Sequence, residues 1–536
     1  MGFVSPFIRQ VRTASGATAV QIAVKEGRRN KVVEHIGSAH TPGELAALVQ
    51  VAQEKLHPGQ LQLDLDLPSG SAGSRPGVHG DYQQTAIGAA HLVSHRSGLL
   101  WQVLCDAWQD LGFDQAVDDE AFKQIVLARL IEPTSKSAIA AMLTSLGLES
   151  FDSRTHFRAL TRCVERDYRS ALARAALEHC LACGDVSLVL YDVTTLYFEA
   201  EKEDALRKVG YSKERRVDPQ ILVGLLADRN GFPLEVSCWE GNKAETHTLI
   251  PTIEAFKQRA GAEHLVVVAD AGMLSSANLQ ALDQAGYGFI VGARQTKAPL
   301  DLQAHFFWHG DCFTDGQTID TITPRHGGKQ ERNQHLKDEP VWHPQTHPGS
   351  WRAIWVYSRK RAARDSKTLT LQENRARAIV AGEKAMRSAR FVTTSSSGRG
   401  LDEKALARAR RLEGLKGYVT NIPARTMSAS EIVADYHNLW KVEQSFRMSK
   451  HDLRARPVFH HTRQAIEAHL TVVTAALAVA RHLQAATGVS IKKIVQALRP
   501  VIDVTINING HELTATSQPQ GQAANILASL TNKTGH

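Results

Sequence analysis

The sequence predicts an α/β protein in which a mixed β-sheet is covered by helices, preceded by a helical region and interrupted by a long insert. Three observations carry this reading. Near residue 185 a helical pattern gives way to β-branched, apolar runs. From there the order reads β-β-β-α-β-α-β, and three adjacent strands followed by alternating helices and strands indicate a mixed sheet with helical cover. Between 297 and 416 the texture turns irregular and basic before strand and helix patterns resume.

In chain order, residues 1–66 open as a β-hairpin-like region. Val20, Ile22 and Val24 alternate, EGRRN turns, and Val32 to Ile36 returns. Residues 67–82 hold LPSGSAGSRPGVHG, a Gly-, Ser- and Pro-rich linker. Residues 83–182 carry apolar residues at three-to-four spacing, a helical block read as the DNA-binding region, with a packing layer as the alternative. Residues 183–296 give the first part of the sheet domain. DVSLVLYDVTTLYFE is its first strand, ILVGLLADRNGFPLEVSCWEGN two more joined at Asp228-Arg229-Asn230-Gly231, and HLVVVADAG and YGFIVGAR follow helices. The insert, 297–416, contains HGGKQERNQHLKDEP, the aromatic strand WRAIWVYS and the run Arg359-Lys360-Arg361. Residues 417–486 return to the sheet domain with LKGYVTNIP, a long helix from Ser428 through Lys450 and another from about 462 to 485. The C-terminal region, 487–536, has a weak pattern.

Composition bounds the function. A chain of 536 residues holds two to four domains at roughly 150 residues each. With 43% hydrophobic and 22% charged residues it is globular, which excludes wholesale disorder. Its 63 basic and 55 acidic residues leave a net charge of +8, which tilts toward a polyanionic partner. The longest apolar stretch, Leu470 to Ala480, lies between His469 and Arg481 and falls short of the ~20 residues of a membrane span. MGFVSPFIRQVRTASG has no apolar signal region, so a soluble, cytoplasmic protein is expected. The six cysteines form no disulfide framework, and only Cys180 and Cys183 have metal-ligand spacing. They lie in a helical pattern without a second pair, and small buried residues are the better reading. Lys213-Glu214-Arg215-Arg216 reads as a charged loop, and no glycine-rich phosphate loop with a lysine points to ATP.

Three carboxylates stand out. Asp192 interrupts the apolar strand LVLYDVTTLYF, where a charge is costly unless paired or bound to metal. Asp270 ends VVVADAG, at the carboxyl end of a buried strand, where α/β sheets place their sites. Glu443 lies in YHNLWKVEQSFRMSK. On one continuous helix, Tyr436, Glu443 and Lys450, spaced by seven, would each fall within roughly 20° of the next. Arg447 follows one turn beyond Glu443. Taken singly, each aspartate reads more simply as a strand-end acid capping backbone, and the helical stripe as a solvated face. Together they form an oxygen-rich cluster suited to magnesium, and paired ions about 3.5–4 Å apart activate an attacking oxygen and stabilise the leaving one at phosphorus.

These segments resemble the DDE transposases of bacterial insertion sequences. The likeness rests on Asp192 in YDVTTLYFE, Asp270 in VVVADAGMLSSANL and Glu443 in YHNLWKVEQSFRMSKHDLRARPVFHH. It is closest to the cut-and-paste branch with a Tyr-x2-Arg-x3-Glu-x6-Lys signature. Tyr436, Glu443 and Lys450 match that spacing, while Leu439 stands at the arginine position and Lys441 or Arg447 is the nearest substitute. The resemblance implies a ribonuclease-H-like catalytic domain with an inserted domain before the glutamate. It implies Asp192, Asp270 and Glu443 as catalytic residues and as ligands of two Mg2+ ions, for which Mn2+ can substitute. It also implies hydrolysis at the ends of a DNA element, then attack of the freed 3′-hydroxyl on target DNA. The partners implied are double-stranded DNA, both terminal inverted repeats and target, and a second protomer in a DNA synapse, with no membrane and a nucleoid-associated location.

Tyr436 and Lys450 would contact the phosphate backbone near the cut. Downstream, Lys441, Arg447, Lys450, Arg454, Arg456 and Arg463 outnumber the acids Glu443 and Asp452, a basic stripe suited to a duplex end. The inserted tryptophans Trp308, Trp342, Trp351 and Trp355 include candidates for stacking on a base, although core packing is the commoner role. Two other readings stand beside this one. A transposase-derived DNA-binding protein without catalysis would bind ends and not cut. A carboxylate-pair glycosidase would need an aromatic-lined cleft, against which the 6% aromatic content speaks.

Overall fold

The computed structural model describes residues 6–12, 17–26, 29–39, 42–56, 91–184, 186–199, 202–211, 217–260, 265–273, 275–325, 341–385, 389–395, 398–508 and 511–531. The linker 67–82, the charged loop 213–216 and all of HGGKQERNQHLKDEP lie outside these residues. The chain divides into two compact units, Met1–Thr85 and Ala86–His536.

In the first unit, strands Phe7–Arg12, Thr18–Glu26 and Arg29–Ala39 form an antiparallel sheet in chain order. Val20, Ile22 and Ala52 of the helix Pro42–Leu56 make its small core.

The second unit is built on an eight-stranded sheet. Its strands are β1 (Leu188–Tyr197), β2 (Gln220–Asp228), β3 (Pro233–Glu240), β4 (Val266–Ala269), β5 (Gly288–Ala293), β6 (Thr318–Pro324), β7 (Ser350–Tyr357) and β8 (Leu415–Thr420). The order across the sheet is β6-β7-β8-β5-β4-β1-β2-β3. β4 runs parallel to both β1 and β5, and every other pair is antiparallel. The two parallel partners explain why β4 reads as an unbroken apolar run, since such strands are buried on both faces. β2 and β3 meet in the turn that Gly231 completes at φ 82°, a left-handed conformation that costs glycine little.

The insert departs from a separate β-rich domain. Its strand β7 pairs with β8 and β6 with β7, which widens the main sheet and leaves β8 no open edge. Its remaining described parts are the helix α1 (Arg359–Val380), a two-stranded hairpin, Val392–Ser395 with Gly398–Leu401, and the helix Glu403–Arg411.

The long helix expected from Ser428 to Lys450 is two helices, α2 (Ala429–His437) and α3 (Leu439–His451). α2 starts in a reciprocal cap between Ser428 and Glu431. It ends at Asn438, whose N–H donates back to the Asp435 carbonyl at 3.1 Å and whose carbonyl accepts from the Lys441 N–H at 2.9 Å. Tyr436 therefore belongs to a different helix from Glu443 and Lys450.

The helix α4 (Arg463–Thr487) runs through the core. It packs on β3 and on the helices Ser153–Glu165 and Glu120–Ile131. It is the one described helix long and apolar enough to cross a membrane, and 78% of its apolar window is buried inside the fold. One hydrophobic cluster extends from Leu100 in the helical block through Val189 and Val267 in the sheet to Ile526 near the C-terminus. The helical block thus shares one core with the sheet. In the C-terminal region, Asp503–Ile508 pairs with both His511–Thr516 and His91–Arg96.

Candidate active site

Parallel pairing of β1 and β4 sets Tyr191 opposite Ala269, so Asp192 and Asp270 are the next residues across from one another. Neighbouring strands lie about 4.8 Å apart, which brings the two carboxylates to one end of the same strand pair. Asp192 is half-buried and Asp270 is exposed.

Tyr436 reaches Asp270 from α2. Its hydroxyl donates to Asp270 Oδ1 at 2.8 Å. Burial, and then the negative charge of Asp270, push the phenol well above its ordinary range, so it stays a neutral donor. Asp192 is near enough for its charge to act on the same phenol. Space for the hydroxyl comes from Gly292 on β5, where a Cβ would lie 2.6 Å from the Tyr436 oxygen.

Lys450 holds α3 against the sheet. Its ammonium donates to Thr194 Oγ1. Thr194 stands two residues beyond Asp192 on β1 and so on the same face. Glu443 lies two helical turns before Lys450 and is exposed.

The sequence-predicted residues divide into those that meet here and those that do not. Asp192, Asp270 and Tyr436 meet at the ends of β1 and β4, Lys450 joins β1 at Thr194, and Glu443 stands exposed on α3, where its charge acts on Lys416. Lys441 turns away, donating to the Arg229 carbonyl at 2.9 Å in the β2–β3 turn. Arg447 is exposed on α3. Arg454 is exposed in the segment after α3 at φ 44°, and the Arg456 guanidinium lies 5.5 Å from the Tyr197 ring centre. Leu439, at the place of the signature arginine, is buried with Val442 and Phe446.

Lys416 on β8 escaped the sequence reading. Its ammonium sits 4.4 Å from the ring centre of Tyr436. Burial lowers its pKa first and the Arg361 charge lowers it further, while Asp270 and Glu443 oppose both. A fourth acid, Glu245, lies beside the turn after Asp270, since a Cβ at Gly272 would stand 3.1 Å from its Oε2. Neither residue has a local sequence signal, because strand pairing and a loop bring them in. Of the inserted tryptophans, Trp342, Trp351 and Trp355 are buried, and Trp308 is half exposed beside Phe307.

Among the described residues, no group of three His, Cys, Asp or Glu side chains stands ready-made to hold a metal ion. This includes Cys180, which is buried as expected, and Cys183, which is instead exposed, with its Sγ 3.8 Å from His179 Nε2. The donors that do approach one another at the sheet end are all carboxylates. That chemistry fits a hard divalent cation and does not fit zinc held by thiolate and imidazole.

The family described as Transposase DDE domain matches residues 185–479, more than half of the chain. The chain belongs to the DDE transposase family. Membership implies an enzyme that cuts DNA and transfers strands. The matched segment runs from the start of β1 into α4 and contains the whole sheet with its insert. No protein of curated function matches the sequence. Among solved structures, the chain is similar to a piggyBac transposase synaptic complex with hairpin DNA, at 8% identity and TM-score 0.36, over 73% of this chain and 70% of that one. It is also similar to the Mos1 transposase paired-end complex with left transposon end, at 9% identity and TM-score 0.15, over 46% and 67%. A Mos1 mariner paired-end complex with Mn gives 10% identity and TM-score 0.15, over 46% and 72%. Scores this low add nothing to the family match.

Proposed function

We propose that this transposase binds the ends of a DNA element, cuts them by metal-dependent hydrolysis of a phosphodiester and joins the 3′-hydroxyl ends to target DNA. The observation that carries the reading is the pair Asp192 and Asp270, neighbours across two parallel strands, with Tyr436 hydrogen-bonded to the second. The order β3-β2-β1-β4-β5, three antiparallel strands followed by two parallel ones, supports a ribonuclease-H-like catalytic domain with its insert between β5 and β8. Asp192, Asp270 and Glu443 would hold two Mg2+ ions, with Mn2+ as a substitute.

Such ions supply the positive charge that activates an attacking oxygen and stabilises the leaving one. The protein's own groups do the positioning. Tyr436 fixes the rotamer of Asp270, as outer partners of metal ligands do. Lys450 ties α3 to β1 and so sets where Glu443 faces. Arg447, Arg454 and Arg456, with Lys441 at the β2–β3 turn, extend positive charge along the duplex. Two protomers would pair two DNA ends in a synapse, in the nucleoid.

The test is excision from a plasmid carrying the element, comparing wild type with Asp270→Asn in Mg2+, in Mn2+ and with chelator. Excision by wild type alone, and only with metal, supports the reading. Specific end binding by both proteins without excision in either metal sinks it in favour of a DNA-binding protein without catalysis.

A further inference from the structure

The signature arginine's position is filled by Leu439, which is buried and brings no charge to the site. Lys441 does not replace it, since its ammonium is engaged at the Arg229 carbonyl. The positive charge facing the acids comes from another part of the chain. β8 lies beside β5, and β5 beside β4, which carries Asp270 at its end. Lys416 projects from β8 onto the ring of Tyr436, 4.4 Å from its centre, and the hydroxyl of that ring is bonded to Asp270. Its charge acts on Asp270 and Glu443 together.

Two further cations stand behind it. Arg361 and Arg364 lie three residues apart near the start of α1, and so share a face of that helix. Both charges act on Lys416, and Arg361 also acts on Tyr418 and His437. No ion pair holds Lys416, Arg361 or Arg364 among the described residues, and their like charges oppose one another. The first turn of α1 carries no acid, and cations there also oppose the helix dipole. Three cations accumulated at a cost beside a carboxylate site call for an anion. The anion that must approach these carboxylates in strand cleavage is a phosphodiester.

We propose that Lys416, backed by Arg361 and Arg364, holds a DNA phosphate at the cleavage site and supplies from β8 and α1 the charge that Leu439 does not. This rests on the transposase reading above. Lys416 acts on the substrate phosphate beside the carboxylates, and the two arginines hold the adjoining backbone. The arrangement also explains why the insert is part of the main sheet. Pairing of β7 with β8 anchors the start of α1, which follows β7 directly, near the strand that carries Lys416.

The test uses the full chain and duplex DNA carrying the element end. Binding is titrated across salt concentrations, and cleavage is followed in Mg2+. The variants are Lys416→Met, Lys416→Arg and Arg361→Gln, with Lys492→Met, an exposed charge on the helix Ile491–Leu498, as control. Lys416→Met is expected to melt as the wild type does and to flatten the slope of log affinity against log salt by about 0.9, one phosphate contact. Its cleavage should fall roughly 10²- to 10³-fold, the loss seen when one charge-stabilising donor is removed. Lys416→Arg should restore most of the slope. Arg361→Gln, which is near the surface and has no packing role in the core, should flatten the slope without unfolding the protein. Slopes and cleavage equal to the Lys492→Met control overturn the proposal, while loss of cutting in Asp270→Asn alone leaves the transposase reading intact. A wild type that neither binds nor cuts the DNA overturns both.

Discussion

Two partly buried lysines of the sheet unit keep opposite company. Lys416 faces carboxylates, with Asp270 and Glu443 opposing the burial that lowers its pKa. Lys136 faces imidazoles. Its ammonium is 2.5 Å from His460 Nε2 and 3.2 Å from His469 Nδ1, and Arg129 adds a further positive charge. Burial, then Arg129, lowers the Lys136 pKa to about 7. Neutral imidazoles accept its protons and do nothing to balance its charge. The difference lies in what each cluster holds. Around Lys136 the bonds run to backbone: Arg129 donates to the Leu453 and Arg454 carbonyls at 2.8 and 2.9 Å, and His469 Nε2 is 3.0 Å from the Ala455 carbonyl. That cluster fastens the segment after α3, including the left-handed Arg454, to the helical layer. The site around Lys416 keeps its charges open to an incoming anion. On the proposed reading, similar burial serves chemistry in one place and fastening in the other.

The largest way to break this contrast is Asp270→Asn. If the carboxylate site is the chemical one, cleavage should fall by more than the ~10–100-fold that losing a supporting partner costs. DNA binding measured in the same preparation should survive. A fall in binding equal to the fall in cleavage would make Asp270 a folding residue. Leu439→Arg probes the same border from the apolar side. Leu439 is only 8% exposed, so an arginine there buries an unpaired charge, at a cost on the order of 3 kcal/mol. The melting temperature should drop and cleavage should not improve. A stable and more active variant would show that α3 can turn this position toward the DNA.

Much of this site was legible in the sequence for local reasons. β1 and β4 announce themselves as apolar runs that reach an acid, and Glu443 and Lys450 by spacing on one helix. Tyr436 was legible as a partner but not in its geometry, because Asn438 breaks the helix between it and Glu443. Lys416 was invisible, since only the pairing of β8 with β5 brings it near Asp270. The same limit hid the C-terminal hairpin, whose strand Asp503–Ile508 finds its partner in His91–Arg96 at the opposite end of the unit. The insert read as a separate domain because its strands have no local sign that they extend an existing sheet.

Two substitutions sharpen the carboxylate side. Tyr436→Phe removes only the hydroxyl that orients Asp270 and should cost roughly 10–100-fold in cleavage or metal affinity, with stability lowered by about 1 kcal/mol. Gly292→Ala keeps the hydroxyl but puts a Cβ 2.6 Å from it, so the ring must move and stability should fall by about 1–3 kcal/mol. If Gly292→Ala cleaves like wild type while Tyr436→Phe does not, the bond to Asp270 survives the displacement and the room at Gly292 is not what fixes it.

The smallest expected effect belongs to the imidazole side and is a matter of pH. Burial first, and then Lys136, hold His460 down at about 4, and the same causes hold His469 well below 6.5. Arg129 adds to both, His461 lowers His460, and the bond to the Ala455 carbonyl opposes the shift at His469. Below pH 6.5 the unfolded chain binds protons that the folded cluster refuses. The contribution of the two histidines is therefore complete above that value and declines as the pH falls toward 4. Lys136→Met removes the cation that both imidazoles face, so their folded pKa values should rise and the acid decline should shallow. Melting followed from pH 7.5 to 4.5 checks this. An unchanged acid limb in Lys136→Met, with the same limb lost in His469→Gln, would assign the sensitivity to burial alone and leave Lys136 a hydrogen-bond donor without electrostatic influence on the clasp.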